Sequence, residues 1–456
     1  MMRALALAEV ARVLGALAPA ATGSVRDICT DTRALQAGDL FVALRGERFD
    51  GHEFLATARE TGAIAAVVDT PDEAVALPQL VVPDTVQALA DLARYNRDLS
   101  SARVVAVTGS SGKTTFKEML SAILSREGET LATLGNLNNH IGAPLTLFRL
   151  APKHRFAVIE LGASGLGEIA HTVAAAAPEV VVITNAGEAH LEGFGSYENI
   201  VQGKGEIIDG VRAGGTVVLN RDDPAFETWK HRAGNRRVMS VSARGDEADY
   251  RCVGYQLANG VYSIRVITPD GSERTLTLNL PGEHNICNAL LAMAAAEAAG
   301  AGWVSVLSGL KAVKAAAGRL ELKPLNDRVT VIDDSYNANP SSMKAALEVL
   351  SREAPIRVVV LGGMAELGAE GDQLHREVGE HARHLGIEQF LVVGTSDGCT
   401  SLVTGFGAEA HRFDTHQQSV EWLLANITGP MTVLVKGSRS SAMDRVVKML
   451  QEKVNN

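Results

Sequence analysis

The chain has 456 residues, 46% of them hydrophobic, 4% aromatic and 21% charged, with 43 Lys and Arg against 53 Asp and Glu and a formal net charge of -10. That length accommodates two to four domains of roughly 100 to 200 residues each, and the acidic balance argues against nucleic acid or an anionic membrane surface as the main partner, since both are met by a basic face. Cys29, Cys252, Cys287 and Cys399 are dispersed and form no CxxC pair, so neither a disulfide framework nor a cysteine zinc site is suggested and a reducing cytoplasm is the natural home.

The opening MMRALALAEVARVLGALAPAATG resembles a signal peptide only superficially, because Glu9 and Arg12 interrupt its apolar stretch. Leu7, Val10, Val13, Leu14 and Leu17 instead suit one face of a short amphipathic helix. No uninterrupted apolar run reaches the ~20 residues that span a bilayer, so no membrane insertion is expected. Strand-like runs at 39–44 and 64–68 enclose a helix over 53–61, a small α/β unit. A strand at 103–107 enters a Gly/Ser loop and a helix from about Phe116. Buried-type strands follow at 156–159, 180–183 and 216–219, a pattern that predicts a parallel sheet covered on both faces. Between 247 and 280 the strands shorten and alternate, and an alanine-rich helix runs over 285–299. A third series of βα units has strands at 329–332, 357–361, 390–393 and 431–435 and ends in a helix. The expectation is an α/β protein of three domains, 1–100, 101–316 and 317–456.

The strongest single motif is TGSSGKTT (108–115), between a strand and a helix. There the backbone of Gly109, Ser110, Ser111 and Gly112, with Thr115, can cradle phosphates at a helix N-terminus. Lys113 would reach the β- and γ-phosphates, and the Thr114 hydroxyl would ligate Mg²⁺. Val107 stands where the full GxxxxGK[ST] spacing wants glycine, so the loop is a shortened variant. Such a loop names a nucleotide cosubstrate and leaves kinase, motor, synthetase and ligase open. Glu160 ends the next strand, where a parallel sheet places either a Mg²⁺ ligand or a solvent-facing acid. His190 follows a further strand in a segment without a helix signal and shares that edge, as metal or substrate ligand or as a bland loop histidine. His381 and His384, three apart on a helix, have no third ligand to make a metal site.

Taken in order, TGSSGKTT, NLNNHIGAPLT (136–146), IELGAS (159–164), NAGEAHLEGFGS (185–196), GKGEI (203–207), GEHNICNAL (282–290), GRLE (318–321), DDSYNANPSSM (333–343), LGGMAELG (361–368) and VKGSRSSAM (435–443) resemble the Mur ligases. These are the ATP-dependent amide-forming enzymes of peptidoglycan precursor synthesis, and the likeness covers essentially the whole chain. It implies a central P-loop-type ATPase domain flanked by a small N-terminal α/β domain that binds a UDP-sugar and a C-terminal Rossmann-like ligase domain. Within the family, DDSYNANPSS, VLGGMAELG, TDTR (30–33) and LFVALRGERFDGH (40–52) are most similar to the member that joins D-alanyl-D-alanine to UDP-N-acetylmuramoyl-tripeptide. The alternatives are the ligase that adds the third residue, whose DNPR-type signature is missing from this sequence, and a folylpolyglutamate-type synthetase.

The resemblance also implies residue roles. Lys113 and Thr114 take ATP and Mg²⁺, and Glu160 and His190 complete a site for two Mg²⁺. Lys204 stands fourteen positions after His190, where the family carries a lysine carbamylated by CO₂; without the resemblance it reads as an ordinary surface lysine. Asn285 and Asn288 fall on the adenine side, or cap a helix. Arg319 is placed to close on the γ-phosphate, and Asp334, Tyr336 and Asn339 on the nucleoside and phosphates. Asn136, Asn139 and Thr146 would meet the muramoyl-peptide, and Thr30, Asp31, Arg33, Arg45 and Asp50 the UDP-sugar. Lys436, Ser438 and Arg439 would meet a peptide carboxylate. The chain is expected to act as a cytoplasmic monomer.

Overall fold

The computed structural model describes residues 2–18, 22–46, 49–354, 356–426 and 429–454; Glu47 and Arg48 of the 40–52 string lie outside them. Near the N-terminus, Ile28–Cys29, Leu40–Val42, Ala65–Val68 and Gln79–Val81 form a parallel four-stranded sheet in chain order. The preceding helix, Leu7–Leu14, buries Leu7 and Val10, but Leu17 falls beyond its Gly15 cap and is 93% exposed, so the apolar face is shorter than the sequence suggests. The run over 53–61 begins as a 3-10 turn, Gly51–Phe54, because the Asp50 side chain accepts from His52 N–H, and becomes α-helical only over Leu55–Thr61.

A longer helix, Thr85–Asp98, seals this unit onto the next. Arg97 is buried on it and donates to Ala176 O at 3.1 Å, Ala177 O at 3.2 Å and the Glu179 carboxylate at 2.6 Å. Asn96 donates to Leu147 O and Leu150 O. Apart from a 3.4 Å bond from Arg97 to Ser100 O, every partner lies in the central domain, and a buried guanidinium so paired is costly to remove.

The central sheet has nine strands, in spatial order Thr130–Ala132, Phe156–Glu160, Arg103–Thr108, Val180–Ile183, Thr216–Asn220, Arg237–Ser242, Tyr250–Ala258, Val261–Ile267 and Glu273–Leu278. The first seven are parallel, and Phe156–Glu160, Arg103–Thr108, Val180–Ile183 and Thr216–Asn220 are buried on both faces, as covered strands must be; the last two pair antiparallel, so the last three form a meander. Because the chain crosses from Phe156–Glu160 to the far side of Arg103–Thr108, the connections diverge at that strand's C-terminal end and leave a crevice. Helix Lys113–Leu124 starts three residues before the expected Phe116, since Gly112 (φ +79°) completes the turn out of the strand. It buries Phe116, Met119, Leu120 and Ile123. Helix His284–Ala298 packs against it, and its fully buried alanines, Ala289, Ala292, Ala294, Ala295 and Ala296, allow close approach.

The last sheet runs Glu321–Pro324, Val329–Asp334, Met431–Lys436, Arg357–Gly362, Gln389–Val393 and His411–Phe413, all parallel except the first. Two apolar clusters cover its faces. Its strand ends point loops at the central crevice.

Candidate active site

The phosphate loop is held open by two glycines. Gly109 has φ +149°, and a Cβ there would stand 1.9 Å from Thr184 Oγ1; Gly112 has φ +79°, and its Cβ would meet Asn288 Oδ1 at 2.7 Å. Between them Ser110 N–H donates to Asn185 O at 3.1 Å, Ser111 N–H donates to Asn185 Oδ1 at 3.0 Å, and Thr184 Oγ1 donates to Ser111 O at 2.6 Å. The neighbouring strand's loop therefore braces the shape that phosphate would need.

Lys113 Nζ folds back to Gly109 O at 2.6 Å. Burial lowers its pKa, opposed by Glu160 and reinforced by Arg319. Thr114 Oγ1 donates to Glu160 Oε2 at 3.1 Å, and Asn138 Nδ2 donates to Glu160 Oε1 at 2.9 Å. Glu160 N–H in turn donates to Thr133 Oγ1 at 2.9 Å, which fixes the strand end. Thr114 and Glu160 offer hard oxygen donors, and among the described residues no group of three or more His, Cys, Asp or Glu side chains could hold a metal by itself. This donor set fits Mg²⁺, which keeps much of its shell for phosphate oxygens and water, better than a metal held wholly by protein.

His190 has φ +58° and caps a short helix, Leu191–Phe194, in the segment that carries no helix signal in the sequence. Its Nδ1 pairs with the Glu366 carboxylate of the last domain. Burial lowers its pKa, against the pull of Glu366. Lys204 is 1% exposed, with Nζ 3.3 Å from Ala163 O and 5.0 Å from the Phe194 ring centroid. Burial, and then the neighbouring Lys113 charge, bring its pKa down to about 7. It is far from the ordinary surface lysine that its sequence context suggests.

A cavity of about 960 Å³ opens over the phosphate loop, Glu160 and His190, with Lys204 behind its lining, and the last domain lines it too. From there Arg319 lies 4.2 Å over the Tyr336 ring centroid and 3.5 Å from Thr114 Oγ1, and Asn339 Nδ2 donates to Ser110 O at 3.4 Å. Asp334 joins the same wall, accepting from Leu320 N–H at 3.1 Å and from Lys436 Nζ at 2.5 Å. Burial lowers the Lys436 pKa, countered by Asp334. Ser438 and Arg439 also line the cavity, the latter 5.8 Å from the Tyr336 ring centroid.

Not every residue singled out in the sequence reaches this cavity. Ser110, Ser111, Thr115, Asn136, Asn139, Asn285 and Asn288 line it, but Asn139 is engaged as a helix cap, accepting from Gly142 N–H at 2.8 Å. Asn285 donates to Pro281 O at 2.6 Å. Thr146 stands outside the lining: it is fully buried and its hydroxyl donates to Gly142 O at 3.0 Å within its own helix. Thr30, Asp31, Arg33, Arg45 and Asp50 form no part of the cavity lining. Arg33 pairs with Asp31 at 2.6 Å, which holds that carboxyl at about 2, and Arg45 pairs with Asp50 and Asp69. Asn138, Asn185 and Glu366 were missed. All three sit inside quoted strings, and their roles depend on partners 22, 74 and 176 positions away.

A phosphate loop, a paired threonine and glutamate, and a last domain closing over both define an α/β enzyme that handles nucleotide phosphates in an interdomain cleft. Residues 24–97 match the model for "Mur ligase family, catalytic domain", 107–296 the Mur ligase middle domain and 318–439 the Mur ligase glutamate ligase domain. The chain is 43% identical over 451 residues, 99% of each sequence, to the UDP-N-acetylmuramoyl-tripeptide–D-alanyl-D-alanine ligase of Escherichia coli. It superposes on MurF from Acinetobacter baumannii with a TM-score of 0.92 at 34% identity, covering 99% of both chains. A MurF ligase from Thermotoga maritima in complex with ADP gives 0.84 at 27% identity, covering 94% of this chain and 98% of that one. The chain belongs to the Mur ligase family.

Proposed function

We propose that this ligase joins D-alanyl-D-alanine to UDP-N-acetylmuramoyl-tripeptide at the expense of ATP, in the cytoplasm, as a monomer. The observation that carries the reading is the cavity in which the phosphate loop faces Arg319, Lys436 and Arg439 of the last domain. Triphosphate, tripeptide carboxylate and the developing charge are all anionic, while the chain's net charge is -10. Local cations must therefore oppose the repulsion.

In this reading the tripeptide carboxylate attacks the γ-phosphorus of ATP, forming an acyl phosphate and ADP. The dipeptide amine then attacks the acyl carbon, and inorganic phosphate leaves as the amide forms. Lys113 swings from Gly109 O to the phosphates, while Arg319, already beside Thr114, meets the γ-phosphate. Thr114 and Glu160, with His190 nearby, would hold Mg²⁺, which would supply charge neutralisation at the phosphates. Lys204 as a carbamate would add a second anionic metal-binding group, and its depressed pKa supports this because only the neutral amine adds CO₂. Asn285 and Asn288 stand on the nucleoside side of Gly112. Asp334, Tyr336 and Asn339 shape the cleft from the last domain, and Ser438 and Arg439 suit a peptide carboxylate. Asn136 and Asn139 edge the acceptor side. Thr30, Asp31, Arg33, Arg45 and Asp50 remain candidates for the UDP-sugar in the first domain. Closure of the last domain would exclude water from the acyl phosphate.

Phosphate release with ATP, D-alanyl-D-alanine and UDP-muramoyl-tripeptides ending in lysine or meso-diaminopimelate tests this directly. Release only with tripeptide and dipeptide together is expected. Turnover with UDP-muramoyl-dipeptide and a free diamino acid would instead identify the ligase that adds the third residue.

A further inference from the structure

His375 belongs to none of the groups above. It is 4% exposed at the start of the second turn of helix Gly371–His384, inside the last domain. Its Nε2 accepts from Met364 N–H at 2.8 Å, and its Nδ1 lies 2.6 Å from Gly371 O. A backbone N–H can only donate and a carbonyl can only accept, so these contacts define one form of the ring: neutral, with the proton on Nδ1. Burial lowers its pKa and favours that neutral form. The ring also occupies space that only a glycine leaves, since a Cβ on Gly398 would meet it at 2.5 Å.

Met364 and Gly371 bracket one loop, and Glu366 is on it. Glu366 adopts φ +61°, a left-handed conformation that a side chain rarely takes without being held there. From this position its carboxylate pairs with His190 and its carbonyl accepts from Glu192 N–H at 3.1 Å, both in the central domain.

We propose that His375 is a positioning residue for catalysis: by fastening both ends of the 364–371 loop to one imidazole, it presents Glu366 to His190 and so couples closure of the last domain to the nucleotide site. It touches no reacting atom. Its influence runs through the loop that carries Glu366, whose side chain and carbonyl both meet the central domain, which makes it separable from a general contribution to folding.

The inference rests on the ligase reading, and wild-type turnover with the substrates named above tests that reading independently. The test of the inference is a double-mutant cycle with His375→Leu and Glu366→Gln, read as kcat and KM for ATP, alongside hydrogen exchange of residues 364–371. His375→Leu should lower kcat by about 10- to 100-fold, as expected when a cleft group is misplaced by an ångström. KM for ATP should change little, because the phosphate loop is intact, and exchange in the loop should accelerate. The double variant should be no slower than the slower single variant, and His375→Gln, whose amide offers one acceptor and one donor, should recover much of the rate. If the leucine variant does not fold, His375→Asn carries the same test, since its shorter amide reaches Gly371 but not Met364. Additive losses in the cycle, or unchanged kcat with an accelerated loop, would overturn the proposal.

Discussion

Arg352, at the end of helix Pro340–Ser351 in the last domain, donates to the Glu283 carboxylate of the central domain at 2.6 Å, and Tyr255 donates to the same carboxylate. This pairing adds to the polar contacts that the last domain makes on its neighbour through Glu366, Arg319 and Asn339. The Arg352 and Glu283 side chains are 45% and 42% exposed, so solvent screens the pair. Arg352→Ala should change stability by less than about 1 kcal/mol and turnover by a factor of about five or less. Steady-state kinetics at low and high salt check this; a hundredfold loss would mean that the contact does more than bias closure.

Gly109→Ala should weaken nucleotide binding while the fold survives. The new Cβ would lie 1.9 Å from Thr184 Oγ1 in a backbone conformation disfavoured for alanine, so the loop must shift. Strain of about 1 to 3 kcal/mol corresponds to roughly 5- to 150-fold weaker ADP binding, before counting any lost phosphate contacts. Calorimetry with ADP, together with circular dichroism, tests it; wild-type affinity would contradict the close approach.

Thr114→Ala and Glu160→Gln should raise the Mg²⁺ concentration needed for half-maximal rate, while Lys113→Ala should lower kcat by about 10² or more with the Mg²⁺ requirement unchanged. A Mg²⁺ titration of the three variants separates the roles. Equal effects on the metal requirement would argue against Thr114 and Glu160 as the metal side of the site.

Lys204 makes the pH prediction. Its pKa in the folded chain is about 7 against an ordinary 10.5, so below pH 7 the amine is protonated and cannot add CO₂. In bicarbonate-containing buffer, activity should rise as pH climbs through about 7, and enzyme held free of CO₂ should lose activity reversibly. For the uncarbamylated enzyme, the unfolded chain binds one more proton than the folded chain between those two values, so stability rises with pH across that window. Carbon-13 bicarbonate with NMR detects the carbamate; a bare amine in fully active enzyme would exclude it. Lys204→Ala should be nearly inactive and partly rescued by formate or acetate.

The fold was legible where local pattern and tertiary role agree. The apolar run at 103–107, the glycines at 109 and 112 and the alanines after 285 each carry their own reason to be strand, loop and buried helix. Legibility fell where a distant partner decides. The helix Leu191–Phe194 begins at a left-handed His190 whose side chain is paired with Glu366, 176 residues on. Thr146 looks from the sequence like any other polar residue of the NLNNHIGAPLT string, and only burial shows that its hydroxyl is spent on Gly142 O. Lys204 reads as a surface lysine until the structure shows it sealed beneath Ala163 and Phe194.

The buried Arg97, tied to three backbone and carboxylate partners across the first joint, joins the first and central domains into one frame, whereas the last domain meets that frame at polar contacts around the cavity and at the exposed Arg352–Glu283 pair. On the ligase reading, such a frame acts as a ruler. The gap between a nucleotide-sugar anchored at one end and the phosphate loop at the other is fixed, so a donor peptide one residue too short would stop before the γ-phosphate and one too long would overshoot it. Chain length would then be selected by reach, without any side chain having to recognise the missing or surplus residue.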